Sequence, residues 1–325
     1  MKKPHVKGKK EAEYEVENAF DNEKLNKAFN WYYSKLYILL LIPIALFVMS
    51  IFTIMQAIEV DGTAIYRDIS LKGGLSLTLS NDEFLVYSPT ELESLLQEEF
   101  VDDSFSVREF QMQGVRAGFI IDTNIDEEDL LAFLNELQNV DLQIPEDFTS
   151  SFIAPSLSQA FFTQAISVLL ISFVLISVIV FAVFRKFVPS IAIIISIIFD
   201  LVVTIGILNL FGIEVSIAGI GALLMLIGYS IDTDILLANR VLREPKLRRT
   251  SFAQHFKEKF QDSFKTGMLM AGTTLSAAII ALIVTNSDII FQITLILIIG
   301  LIVDAISTWI QNAAMLKWWM ENKDK

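Results

Sequence analysis

Four aspartates stand in strongly apolar surroundings. Asp200 lies between Phe199 and Leu201 in an Ile/Val-rich run. Asp232 and Asp234 follow Gly228-Tyr229-Ser230, and Asp304 comes four residues after Gly300. Ionisable groups in hydrocarbon are costly, so each must face protein or water. Ser196, Asp200 and Thr204 recur every four residues and therefore share one helix face. Gly300, Asp304 and Thr308 do the same, with Gln311 three residues further on. Gly221, Gly228, Asp232 and Asn239 fall on one face of the intervening run, where the two glycines allow another helix to approach closely. Asp234 points about 200° away from Asp232.

Carboxylates from three helices, gathered in low dielectric, are a physical basis for taking up and releasing protons. Asp200 or Asp232 would exchange the proton and Asp304 would tune it by repulsion. Asp234 and Lys265 are second choices; the lysine supplies a cation if it reaches inward and otherwise snorkels to the surface. The same residues also suit a silent hydrogen-bond knot between helices.

Other chemistries lack their residues. There is no cysteine, and the two histidines, His5 and His255, lie in polar segments. No GxxxxGK[ST] phosphate loop is present. The expectation is therefore no enzyme, no catalytic residue, no cofactor and no metal. Of the net charge of −13, residues 59–159 carry 21 acidic and 4 basic groups. An acidic segment of that kind argues against nucleic acid as a partner.

The elements that must position the aspartates are long apolar runs, each near the ~20 residues that cross ~30 Å of hydrocarbon. Six spans are expected: Leu36–Ile58, Phe161–Phe184, Val188–Phe211, Val215–Leu237, Gly267–Val284 and Ile289–Met315. Pro43 is expected to bend the first, which should remain as an anchor. Basic residues collect in the tail 1–35, at Arg185-Lys186, in the loop at about 240–265 and in the tail 317–325. With six spans all four lie on one side, the cytoplasmic one by the positive-inside rule. The acidic segment 59–159 then lies outside the cytoplasmic membrane. Within it, Leu75, Leu77 and Leu79 alternate with polar residues as in a half-buried strand. Ser88-Pro89-Thr90-Glu91 reads as a helix start with a capping box. Strands at 104–112 and 115–121 around Gln113-Gly114, a helix at 126–138 and a strand near 140–153 complete a ferredoxin-like α+β order. The fold class is thus a polytopic helical membrane protein of six spans, with an α+β domain between the first two, and helices two to six in 160–316.

Several motifs resemble those of the SecF family, the six-span subunit of the SecD–SecF protein-export complex, in its archaeal branch. Asp68 with Leu71-Lys72-Gly73-Gly74 is similar to the D-x-x-G-G element of that family. Ile153-Ala154-Pro155-Ser156-Leu157 is similar to its G-P-x-[LV]-G. Gly228-Tyr229-Ser230-Ile231-Asp232-Thr233-Asp234, followed by Asn239-Arg240 and Arg243-Glu244, resembles G-Y-S-x-N-D-T and D-R-x-R-E. Thr233 stands where bacterial members carry aspartate, and Lys265-Thr266 where they carry R-T. The resemblance implies half of a twelve-span bundle related to the resistance-nodulation-division exporters. It implies a SecD-like partner, the Sec translocation channel, exported polypeptides, membrane lipid and use of the proton gradient. A half-size exporter of lipids or small amphiphiles, and a non-transporting scaffold for the channel, are the competing readings.

Overall fold

The computed structural model describes residues 23–101, 103, 105–112, 115–138, 142, 147–242, 252–285 and 287–322. The N-terminal lysines, the Gln113-Gly114 turn, Arg243 to Ser251 and the last three residues lie outside these.

Helix α1, Glu23–Leu39, runs into α2, Leu41–Asp61. The break at Leu40 has a local cause. Pro43 lacks the N–H that would bond the Leu39 carbonyl, so one rung is lost at the join. The tail expected over 1–35 is therefore helical from Glu23, and apolar helix extends over Asn30–Asp61.

The α+β domain begins with a short helix, α3, Ile69–Lys72, capped by Asp68 Oδ1 accepting from Ser70 N at 2.9 Å. Strand β1 is Gly74–Leu79, and α4, Pro89–Glu99, follows a 3₁₀ turn. Then come β2, Phe105–Met112, β3, Val115–Thr123, α5, Glu127–Gln138, and β4, Phe148–Ile153. The capping box at Ser88 and Glu91 is present. The sheet order is β2-β3-β1-β4 and all pairings are antiparallel. Leu75, Leu77 and Leu79 bury against Phe84, Leu92, Leu96, Leu130 and Leu134. Ser76 and Thr78 face the other way, as a two-residue period requires.

The chain returns to the membrane through α6, Pro155–Phe184, α7, Phe187–Leu210, α8, Ile217–Leu242, and α9, Phe252–Val284. Helix α10, Asp288–Ile306, passes through a π-helical turn, Ser307–Asn312, into α11, Ala313–Asn322. Among the described residues, six helical stretches are thus long and apolar enough to cross a membrane.

The fifth helix starts well before the expected Gly267. Its early turns carry Phe256, Phe260 and Phe264 at four-residue spacing, and these rings pack on Tyr32, Tyr33 and Trp309. Charged residues between them hide this stripe from a hydropathy scan. The sixth helix likewise runs past Met315, so residues 317–322 are helix rather than tail. Helix α7 lies at the centre of the bundle. Its Gly206 admits Ser50 of α2, and Thr53 Oγ1 donates to the Gly206 carbonyl at 3.0 Å.

Candidate functional site

Asp200 on α7, Asp234 on α8 and Asp304 on α10 are buried together. Ser230 Oγ donates to Asp200 Oδ2 at 2.5 Å. Thr233 Oγ1 lies 3.1 and 3.2 Å from the two oxygens of Asp304. Asp234 Oδ1 accepts from Asn312 Nδ2 at 2.7 Å and from Thr308 Oγ1 at 3.0 Å. Thr308 Oγ1 is also 3.2 Å from Asp304 Oδ1 and 3.2 Å from Thr233 Oγ1.

Proton counting shows what this arrangement can do. A threonine hydroxyl has one proton to give. Thr308 stands between two carboxylates and can donate to only one at a time. Asp200 Oδ1 and Asp234 Oδ2 are buried with no hydrogen-bond partner among the described residues. No lysine or arginine among the described residues forms an ion pair with any of the three carboxylates. A proton on one of the carboxyls supplies a donor the cluster otherwise lacks. Because a hydroxyl both accepts and donates, Thr308 can also pass a proton between Asp304 and Asp234.

The sequence-based set is only partly assembled. Asp200 and Asp304 meet as expected. Asp234 joins them in place of Asp232, whose side chain is exposed on the opposite side of α8. Helical periodicity puts the two about 200° apart, and the packed side turns out to be that of Thr233 and Asp234. Lys265 is partly exposed and makes no salt bridge with a described residue, so it brings no cation to the cluster. Gly221 and Gly228 are not packing points within this chain: open space lies where a Cβ would be added at either. Close approaches occur instead at Gly206, Gly219, Gly267 and Gly300.

Two residues escaped the sequence. Asn312 takes the place expected for Gln311, because the π turn shifts the helix phase. Arg240 Nη1 ties α8 to α9 by donating to the Asp262 carbonyl at 3.1 Å and to Thr266 Oγ1 at 3.0 Å. The basic residues just after it in sequence masked that role.

A second polar region lies at the helix ends that adjoin the sheet. The polar sheet face, with Ser76, Thr78 and Arg108, overhangs Glu214, Ser216 and Gln292 across a cleft of about 770 Å³. Arg108 pairs with Asp122. Lys72 Nζ lies 3.2 Å from Asp61 and 3.4 Å from Glu214, and Arg67 Nε lies 3.1 Å from Asp61. Burial pushes the carboxyls of Asp68 and Glu214 above their ordinary values, although Ser70 and Lys72 respectively oppose the shift. Burial works against the charge of Arg108, but Asp122, Glu214 and Asp68 together outweigh it and raise its value. Backbone bonds join the regions: Val215 N donates to the Tyr66 carbonyl at 2.7 Å and Asp68 N to the Val215 carbonyl at 3.2 Å. No group of three or more histidine, aspartate or glutamate residues among the described residues is arranged to hold a metal ion.

The family-like motifs acquire physical roles here. Gly73 has φ +85°, and a Cβ on it would come within 2.6 Å of Pro155 Cα. Thus the two-glycine element after Asp68 and the proline that opens α6 meet in one tight contact.

Comparison with known proteins gives a consistent result. The family model described as protein export membrane protein SecD/SecF, C-terminal, matches residues 133–322. The protein-export membrane protein SecF of Methanolacinia petrolearia is 31% identical over 288 residues, covering 87% of this chain and 94% of the relative. That of Methanocaldococcus jannaschii is 32% identical over 284 residues, covering 86% and 94%. The crystal structure of SecDF, a translocon-associated membrane protein from Thermus thermophilus, superposes with a TM-score of 0.69 at 20% identity. It covers 89% of this chain, which spans 38% of the SecDF chain.

Proposed function

The chain belongs to the SecF family of protein-export membrane proteins, and on that premise we propose that it assists polypeptide export as one half of a unit completed by a SecD-like subunit. The α+β domain is ferredoxin-like and lies outside the membrane; both chain ends lie inside. The strand and helix order, β1-α4-β2-β3-α5-β4, with β3 and β4 flanking β1, supports the first statement. The basic cytoplasmic segments and the acidity of 59–159 support the second.

The partner half has a surface waiting for it. Asp232, exposed on α8, lies ten residues, about 15 Å of helix, from Leu242. A carboxylate at that depth calls for protein or water around it. Gly221 and Gly228 on α8 and Gly272 on α9 leave open space beside them. A helix of the partner covering this side would serve all four residues.

The single observation that carries the energetic reading is the buried cluster of Asp200, Asp234 and Asp304, with no cation paired to it among the described residues. Protonation there changes the charge at a three-helix interface and so biases which packing is favoured. A change of 1.4 kcal/mol shifts such an equilibrium about tenfold. Asp200→Asn and Asp234→Asn are expected to assemble with the partner but lose the part of export that depends on the proton gradient. Wild-type export by both variants across the gradient removes the proton role. Orientation is tested separately: a cysteine at Ser94 should react with an impermeant reagent in intact cells, and one at Lys257 should not. The native chain has no cysteine to obscure the result.

A further inference from the structure

The π turn at Ser307–Asn312 is the least ordinary stretch of backbone in the bundle, and its place is not arbitrary. It begins three residues after Asp304 and ends on Asn312. In a straight α-helix residue 311 would lie about 20° round from residue 304, and residue 312 about 80° round. A π turn acts as an insertion of one residue, so Asn312 arrives where Gln311 would have been. That shift puts Asn312 Nδ2 on Asp234.

The turn leaves a backbone acceptor short. Ala313 N–H would bond the Trp309 carbonyl in an α-helix. Here it bonds Thr308 O, five residues back, and Ile310 O, three back. The Trp309 carbonyl accepts instead from the hydroxyl of Tyr32, 277 residues away on α1. The Trp309 indole is clamped as well. Phe264 packs edge-on at 5.2 Å, and Gly267 lies so close that a Cβ there would stand 2.1 Å from Cζ2. A carbonyl released by a π turn and satisfied by a distant side chain is a turn held from outside.

We propose that Tyr32 is a positioning residue for the buried carboxylate cluster: its hydroxyl holds the π turn that aims Thr308 and Asn312 at Asp234. Helix α1, at the start of the first span, thereby reaches the cluster without touching it. Without that hydroxyl the Trp309 carbonyl is satisfied by Ala313 N–H, the turn becomes α-helical, and Asn312 rotates off Asp234. The effect on export rests on the proton-exchange reading above; the effect on Asp234 does not.

The test is Tyr32→Phe, which removes one oxygen and keeps the ring. Infrared difference spectra of the purified full-length protein, at a pH low enough to protonate Asp234, isolate its carboxyl band by the loss of that band in Asp234→Asn. The expected result is a move of this band to higher wavenumber in Tyr32→Phe, because Asn312 no longer bonds the carboxyl, with an unchanged melting temperature. A Tyr32 that merely packs would not move it, so an unmoved band overturns the proposal. If Tyr32→Phe does not yield folded protein, Gly267→Ala displaces the Trp309 ring from the other side. The same band must then move, and an unmoved band again overturns the proposal. Export separates the two ideas. A moved band with full export by Asp234→Asn keeps the positioning role and ends the proton role. An unmoved band with inactive Asp234→Asn does the reverse.

Discussion

The junction between sheet and helices and the buried cluster both gather carboxylates, and they treat them oppositely. At the junction, Asp61, Asp122 and Glu214 each meet a lysine or arginine. In the cluster, Asp200, Asp234 and Asp304 meet only hydroxyl and amide donors among the described residues. An ion pair fixes charge, because removing one partner strands the other. A net of neutral donors leaves the charge adjustable, because each hydroxyl can turn to suit either protonation state. The ion-paired junction is therefore suited to holding a geometry, and the buried cluster to the change of state proposed for it.

The sharpest way to break that contrast is to remove one carboxylate from each region. Asp122→Ala leaves Arg108 without its ion pair, and Arg108 Nε is already buried without a partner. The Arg108 side chain is 41% exposed, which discounts the cost of a fully buried pair to about 2 kcal/mol. Asp234→Asn keeps the shape and an acceptor for Asn312, and should shift stability by less than about 1 kcal/mol. Melting of the purified protein in detergent compares them; a larger loss for Asp234→Asn than for Asp122→Ala reverses the assignment of roles. A smaller effect is expected for Lys72→Met. Lys72 is partly exposed and serves Asp61 and Glu214, so its loss should cost about 1 kcal/mol or less, and less still in high salt.

The smallest effect is one of pH. Burial raises the carboxyls of Asp68 and Glu214. Their contribution to stability is complete below the ordinary carboxylate range and is lost as pH rises through the raised values. Glu91 has the opposite sign. Its carboxylate accepts from Ser88 at the helix cap and is held low, so its contribution is lost as pH falls through that low value. Glu214→Gln should flatten the upper slope of melting temperature against pH and leave the acid limb unchanged. An unaltered upper slope would mean that the junction owes nothing to that carboxyl.

Periodicity was informative wherever one period governed. The alternation Leu75, Leu77, Leu79 placed β1, and the spacing Ser88 to Glu91 placed the start of α4, because both signals are local. Asp200 and Asp304 were legible because a carboxylate in an Ile/Val run has few places to go. The choice between Asp232 and Asp234 was not legible, since a helix with polar groups on two sides offers no sign of which side its own chain covers. The exchange of Gln311 for Asn312 was hidden for a different reason. A π turn has no composition of its own, and it arises from contacts with Tyr32 and Gly267 that are remote in sequence.

The contact between Gly73 and Pro155 has a mechanical consequence. Strands β1 and β4 are neighbours, with Gly74 opposite Ile153, so the chain enters and leaves the sheet about one strand spacing, roughly 4.8 Å, apart. Two adjacent stems behave as a single hinge pin. The short helix α3 and the first turn of α6 share that pin, and no side chain fits at Gly73 to cushion it. A displacement of the sheet would thus bear directly on the N-terminal turn of α6, with no side chain between them to absorb it.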